Sequence, residues 1–331
     1  MVRAARWRAS GHFFLLLGAA AALAVLVWLS WPQNNRPALS GRVTLATGVA
    51  AGVYAKYDGL LREELKNSYP GLDVRLVPSQ GSVDNLRQVA EGRADFAIAA
   101  ADAAAEYRSA GGNGSRLRAC ARLYDDFLHL VVAHDSPVRS VRDLRGARVG
   151  VGGVESGVQL VARRVLRAVG LDPDRDIKPV LAGIDRMPDQ LRVGQIDAFF
   201  WSGGLPTPAV QRLARTFPIR LIPLGDLVGA LHRLSGASVP LYRAALLPSD
   251  LYPETGSREA ISTIAIPNLL TTADYVTTDL AQAVTGTLIN NRESIGRQMH
   301  AAQSVDLRTA IFTDPLPLHE GARLWYRRVK P

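Results

Sequence analysis

The sequence has almost no cysteine, and this scarcity excludes several ways of stabilising or using a protein. Cys120 is the only cysteine among 331 residues. The chain therefore forms no intrachain disulfide and no zinc site built from cysteines. We expect its stability to come from a hydrophobic core, which a chain with 47% hydrophobic residues can supply.

Several catalytic and nucleotide-binding motifs are also missing. The sequence contains no Gly-x-Ser-x-Gly elbow, no His-Glu-x-x-His pair, no phosphate-loop lysine motif and no dinucleotide-binding glycine pattern. An enzymatic alternative would use Ser156 as nucleophile, with His129, His134 or His319 as base. We instead predict that the protein is not an enzyme and uses no cofactor and no metal.

Positive charge is not clustered in the way that nucleic-acid binding requires. The net charge is +9, yet Arg3, Arg6 and Arg8 contribute part of it and the other arginines are scattered among acids. No basic run is interleaved with aromatic residues, and lysine is scarce. We therefore predict no nucleic-acid partner.

The N-terminal region has the pattern of an export segment. The three arginines precede an uncharged apolar stretch from Phe13 to Trp31, with Trp28 near its end, where an interfacial aromatic residue is expected. An apolar run of about 20 residues can span a bilayer, whereas the apolar core of a cleaved signal has about 7–15 residues.

Three interpretations of this segment stay open: an uncleaved anchor, a signal cleaved near Ser40, and a buried core helix. We favour the anchor, which puts Met1 in the cytoplasm and the chain after Pro32 outside. No cysteine follows the segment, so a lipoprotein anchor is not expected. Residues 1–40 then form the cytoplasmic tip, membrane helix and linker, and the rest is extracytoplasmic, or secreted if the signal is cleaved.

Beyond the linker, short β-type runs alternate with helical runs, which is typical of α/β domains with parallel strands. A first series of such runs is followed by a second series of the same plan. The predicted strands are 42–47, 73–78, 94–100, 148–151, 177–181 and 197–201, and the predicted helices are 54–69, 82–91, 158–169 and 188–193.

The two series predict two lobes joined by a hinge. Segments 86–96 and 191–199 resemble each other, each with a helical run, a glycine and an aspartate before a buried strand. We predict lobe I from 41–128 and 240–331 and lobe II from 129–239. Phe127 to Ala133 would carry the chain across, either Ser238 to Ala245 or Ile264 to Leu270 would return it, and Thr277 to Met299 would be helical with interruptions near Gly286 and Gly296.

Three strand-to-helix junctions, at 47–54, 80–85 and 152–157, share glycines before a helix N-terminus. Such N-termini favour anions, and ligands of open α/β sheets bind at this edge. The alternative is an ordinary capped helix, with Ser82 and Ser156 as N-cap residues. Polar residues at neighbouring strand ends and two tyrosines favour a binding site. The candidate ligand-binding residues are Gly48, Gly52, Tyr54, Tyr57, Gly81, Ser82, Asn85, Asp102, Ser156, Gly157, Gly203, Gly204 and Pro206.

These segments resemble the TAXI family, the solute-binding subunits associated with TRAP transporters. The resemblance extends from about Gly41 to Arg328. The matching segments, in order, are Leu45-Ala46-Thr47-Gly48 with Gly52-Val53-Tyr54, 81–86, 92–96 with Asp102, 143–146, Ser156-Gly157, 194–200 through 203–207, and 317–322. The sequence departs from the family at Val158, where a threonine is usual, at Ala55, where a second aromatic residue is usual, and at Glu155, which places an acid beside the loop.

The resemblance implies an α/β, two-lobed fold of the periplasmic-binding-protein type (type II), with a hinge between the lobes. It also implies a small carboxylate ligand, such as a glutamate- or glutamine-like amino acid or a dicarboxylate. The partner would be a sodium-coupled TRAP-type permease. A membrane-anchored ligand sensor with the same fold and no transport role is the alternative.

Overall fold

The computed structural model describes residues 39–235 and 241–329. The predicted anchor or signal segment and the start of the first return strand, at Ser238, lie outside the described residues. Within the described ranges, no helix has both the length and the apolar character needed to cross a membrane.

The first strand group contains three parallel strands and two connecting helices, as predicted. The order β2, β1, β3 follows from the pairing of β1 with both neighbours. All bounds lie within two residues of the prediction. The elements are β1 (Gly41–Ala46), α1 (Val53–Ser68), β2 (Leu72–Val77), α2 (Ser82–Ala90) and β3 (Phe96–Ala100).

A helix that the sequence pattern did not predict follows β3 directly. This helix, α3 (Ala101–Ser109), begins at the next residue after the strand. Alanine is compatible with both a buried strand and a helix, so the alanine-rich run across Ala100 hides the boundary. Asp102, expected just after the third strand, lies in the first turn of α3.

The second strand group repeats the plan with parallel β5, β6 and β7. The predicted strands and helices of this group are again confirmed within two residues. Its elements are β5 (Arg148–Gly150), α4 (Gly157–Ala168), β6 (Lys178–Val180), α5 (Met187–Arg192), β7 (Ala198–Gly203), α6 (Pro208–Thr216), β8 (Ile219–Leu221) and α7 (Val228–Ser235).

Two long antiparallel strands, β4 (Leu117–Ala133) and β10 (Ile261–Ala273), join the groups into one sheet. The sheet order is β2-β1-β3-β10-β4-β7-β5-β6, with β8 beside β4 and β9 (Arg243–Leu247) beside β10. The predicted crossing strand is thus the last part of β4, and the second predicted return segment lies within β10. The predicted lobe boundaries at 128/129 and 239/240 stay a prediction.

The C-terminal helices are α8 (Thr278–Asn290), α9 (Arg292–Gln298) and α10 (Glu320–Val329). The predicted interruptions near Gly286 and Gly296 are wrong, because the helical stretch breaks at Asn291 instead. Gly286 serves close packing: a Cβ there would lie 2.6 Å from Nε1 of Trp325 on α10. Five short 3₁₀ segments complete the described elements: Gly112–Arg116, Val141–Leu144, Gly225–Leu227, Pro253–Thr255 and His300–Ser304.

One buried carboxyl in α1 has no hydrogen-bond partner. Asp58 is fully buried, and neither of its carboxylate oxygens has a partner. Burial raises the pKa of this group well above its usual range. Tyr57, the preceding residue, stacks on Tyr124 of β4 with ring centroids 5.8 Å apart. The buried face of α1 therefore places two polar side chains, Tyr57 and Asp58, in the hydrophobic core.

Candidate functional site

The three glycine-containing junctions converge on one cavity of about 310 Å³. It lies between the two strand groups, at the carboxyl ends of β1, β3, β5 and β7, where ligands of open α/β sheets bind. Most of the predicted site residues contribute to its lining: Gly48, Gly52, Tyr54, Gly81, Ser82, Asp102, Ser156, Gly157 and Gly203.

The other predicted site residues lie outside the lining. Tyr57 packs in the core against Tyr124. Asn85 is buried and donates from Nδ2 to the carbonyl of Ile98 at 2.8 Å, and this hydrogen bond joins α2 to β3. Gly204 and Pro206 belong to the connection between β7 and α6.

The N-termini of α2 and α4 meet directly across the cavity. A Cβ on Gly157 would lie 2.8 Å from Oγ of Ser82, and one on Gly81 would lie 3.5 Å from Cα of Ser156. The amide of Asp84 donates to the carbonyl of Glu155 at 3.2 Å. One first-turn amide of α2 is therefore already paired, and α2 offers an anion fewer donors than the sequence suggested.

Glu155 has a role in this contact that the sequence did not reveal. Its carboxylate accepts from Arg87 of α2 at 2.6 Å, and Arg87 also contacts Asp84 at 2.9 Å. Its backbone adopts φ 59°, which is uncommon for a residue other than glycine. The acid beside the anion-binding loop thus pairs with an arginine of the facing helix.

The two serines at the junctions have different roles. Ser156 caps α4: its Oγ accepts from the amide of Gln159 at 3.1 Å and donates to the carbonyl of Gly153 at 2.7 Å. Ser82 is not an N-cap residue. Its Oγ accepts from the amide of Ala100 at 3.1 Å and lies 3.0 Å from the Tyr54 hydroxyl. The capping interpretation is right for Ser156 and wrong for Ser82.

The enzymatic alternative has no support in the geometry around Ser156. His129 bonds to the carbonyl of Phe127 at 2.9 Å and to the Tyr252 hydroxyl at 3.1 Å. His319 bonds to the carbonyl of Val276 at 3.1 Å. Within residues 39–235 and 241–329, no histidine is hydrogen-bonded to Ser156, and no group of acidic, histidine or cysteine side chains could hold a metal ion.

Two buried carboxyls line the cavity, and one of them is well partnered. Asp102 accepts from the Tyr242 hydroxyl at 2.9 Å and from Arg164 at 3.4 Å. Burial raises the pKa of Asp102, and the Arg164 charge opposes that rise. Arg164 also pairs with Glu106 of α3, so this cluster joins α3 to α4.

The second buried carboxyl, Asp126 of β4, was not predicted. It is 4% exposed, and its Oδ1 has no hydrogen-bond partner. Burial raises its pKa to about 7, while the neighbouring side chains of Asn268 and Tyr54 lower it. The Tyr54 hydroxyl also donates to Oδ1 of Asn268 at 2.6 Å. An acid between two apolar runs was the only signal in the sequence.

Sequence reasoning also missed the apolar walls and one exposed cation. Arg186 precedes α5 at the edge of the cavity and has no ion pair among the described residues. It falls in a connection where the sequence pattern shows no motif. The large apolar side chains of the lining are Val49, Val53, Val154, Val158, Leu181, Ile184, Met187, Trp201 and Ile266.

The sequence profile of the NMT1-like family matches residues 45–328. Among solved structures, a Bordetella bronchiseptica RB50 protein is 19% identical over 87% of this chain and 80% of that chain, with a TM-score of 0.54. A putative L-cystine ABC transporter protein from Listeria monocytogenes is 15% identical over 81% and 99%, with a TM-score of 0.51.

A binding protein component of an ABC phosphonate transporter from Pseudomonas aeruginosa is 9% identical over 81% of this chain and 80% of that chain, with a TM-score of 0.52. At these identities the likeness concerns the fold alone. It confirms the predicted α/β fold of the periplasmic-binding-protein kind.

Proposed function

The chain belongs to the NMT1-like family, and from that premise we propose that it is an extracytoplasmic solute-binding protein that encloses a small solute for a membrane transporter. The observation that carries this proposal is the cavity itself. Its walls come from both strand groups, and the N-termini of α2 and α4 touch across it. A ligand held from both sides favours the closed arrangement and shifts an opening equilibrium that exists without it.

We propose a small carboxylate as the ligand, either a glutamate- or glutamine-like amino acid or a dicarboxylate. The amides of Gly157 and Val158 lie in the first turn of α4, where the helix supplies them with no carbonyl partner. The positive end of the helix dipole and the Arg186 side chain at the edge of the cavity add favourable potential for an anion.

The partner proposed here is a sodium-coupled permease of the TRAP type. Its support is the series of TAXI-like segments, most of which surround the cavity; membership of that subgroup stays a prediction. Uptake of the ligand into vesicles that contain the permease and this protein tests the pairing. A sodium gradient is expected to drive uptake, and uptake driven by ATP instead would contradict the pairing without affecting solute binding.

Thermal unfolding of the full-length protein against a panel of amino acids, dicarboxylates and oxo-acids tests solute binding. A ligand at a hundredfold its dissociation constant stabilises the folded state by about 2.7 kcal/mol, which raises the midpoint by several degrees. We expect one chemical class of acid to raise the midpoint, with sugars of similar size as the negative control. Absence of a shift with every acid would contradict the proposed function.

A further inference from the structure

Building on the proposed function, we infer that Asp126 binds an ammonium group of the ligand, so that the solute is an amino acid or another amine-bearing acid rather than a simple carboxylate or dicarboxylate. Asp126 lines the same cavity as Arg186 and the α4 N-terminus, and it has the opposite charge when it is ionised.

Strand pairing places Asp126 in the wall of the cavity. It pairs in register with Ile266 of β10, and both residues line the cavity. The residue is 4% exposed and its Oδ1 has no partner within the chain. A buried carboxyl oxygen without a hydrogen bond raises the free energy of the folded protein, because it has lost its water partners. A ligand that donates a hydrogen bond to this oxygen would remove that cost.

A second unpartnered group lies beside it. Nδ2 of Asn268 has no hydrogen-bond partner, although the Oδ1 of the same amide accepts from Tyr54 at 2.6 Å. Asn268 is fully buried. Two neighbouring side chains therefore each have a polar atom without a partner, whereas the other buried carboxyl of the cavity lining, Asp102, accepts from Tyr242 and Arg164.

The charged and titratable groups around Asp126 favour a cation. Tyr54 of α1, Asp102 of α3 and Asp125 of β4 are the ones that act on it, together with the Tyr124 hydroxyl, which Asp126 influences in turn. None of these groups carries positive charge. Asp125 is itself neutralised by Arg122 at 2.8 Å and by Arg243, so these arginines are engaged with its carboxylate.

Because burial raises the pKa of Asp126, a proton and the ligand's ammonium group compete for its carboxylate. With a pKa of about 7, Asp126 holds its proton in part of the ligand-free molecules at neutral pH. An ammonium group that approaches the carboxyl lowers this pKa, so the carboxyl proton is released to solvent as the ion pair forms. Below pH 7 binding is therefore accompanied by proton release, and affinity rises as the pH rises from 6 to 8.

Calorimetric titration with matched ligand pairs tests the assignment. The pairs are L-glutamate with glutarate and L-leucine with 4-methylpentanoate, which differ in the ammonium group. In at least one pair we expect the amino acid to bind the full-length protein about tenfold or more tightly than its deaminated counterpart, which corresponds to one charge-assisted contact.

Asp126→Asn keeps the shape of the side chain and removes its charge. It is expected to weaken amino-acid binding about tenfold or more and to change binding of the deaminated counterpart less than about threefold. Asp58→Asn is the matched control, because Asp58 is an equally buried acid that does not line the cavity. It should leave both affinities unchanged, and thermal unfolding of each variant confirms that it folds.

Each outcome decides the matter. Binding of only the deaminated compounds, or full amino-acid affinity in Asp126→Asn, overturns the ammonium assignment and leaves the proposed function intact. If neither pair binds and no other acid of the panel binds, the proposed function is overturned, and this assignment is overturned with it. The titration is repeated in buffers of different ionisation enthalpy to count the protons released on binding. We expect proton release at pH 6, and we expect none at pH 8 or in Asp126→Asn. Equal proton counts at the two pH values would contradict the ionisation of Asp126 on binding.

Discussion

Gly157→Ala is expected to weaken ligand binding about 10- to 100-fold while leaving the protein folded. The new Cβ would lie 2.8 Å from Oγ and 3.1 Å from Cβ of Ser82. Ser82 cannot move aside freely, because its hydroxyl is held by the Ala100 amide and by Tyr54. Overpacking of this kind costs about 1–3 kcal/mol, and each 1.4 kcal/mol corresponds to about tenfold in affinity.

The penalty exists only while the N-termini of α2 and α4 are in contact. The protein can relieve it by opening the cavity, so the cost falls on ligand binding and not on the fold. Gly153→Ala is the control from the same loop, since its nearest contact, Oε1 of Gln80, would be an ordinary 3.8 Å away. Calorimetric titration and urea unfolding of both variants separate the effects. Unchanged affinity in Gly157→Ala, or a loss of stability as large as the loss of affinity, would contradict closure at this contact.

Gly321→Ala is expected to lower the free energy of unfolding by about 3 kcal/mol or more, which is a larger loss of stability than we expect for Gly157→Ala. In the first turn of α10, a Cβ at this position would lie 2.1 Å from the carbonyl oxygen of Thr278 and 2.8 Å from the amide nitrogen of Gln282. Both atoms belong to the backbone of α8 and cannot rotate away. Relief therefore requires α10 to separate from α8, which exposes the packing of Trp325 against Gly286.

Gly59→Ala is the matched control for this substitution. Gly59 lies inside α1, and a Cβ there would have nothing within 4 Å. Alanine is a better helix former than glycine, so this variant should gain about 0.5–1 kcal/mol. Urea unfolding of the two variants isolates the helix contact from the intrinsic propensity. Similar stability of Gly321→Ala and the unsubstituted protein would contradict the close approach of α8 and α10.

Local sequence patterns predicted the elements of the two strand groups well. Glycines or prolines stand near most ends of these strands, the carboxyl end of β3 excepted, and the helices between them carry clear apolar faces. The pattern failed where the local signal was ambiguous. The first part of β4 contains Arg118, Arg122 and Asp125, whose charges concealed a strand that is buried by pairing with β10.

The residues that line the cavity were predicted where they depend on the junction glycines and missed where they depend on distant pairing. Gly48, Gly81 and Gly157 were found because helix N-termini at strand ends have a recognisable pattern. Asp126 could not be placed at the cavity, because its position follows from the register of β4 against β10. The role of Glu155 was equally hidden, since its partner Arg87 lies 68 residues earlier in the chain.

Native mass spectrometry of the purified full-length protein with the acids of the ligand panel tests the central claim most directly. If the cavity encloses one small acid between the two strand groups, the protein should form a one-to-one complex with an acid, and Gly157→Ala should lose that complex at the same ligand concentration. An unsubstituted protein that forms no complex with any acid, or a Gly157→Ala variant that retains the complex in full, would contradict the claim.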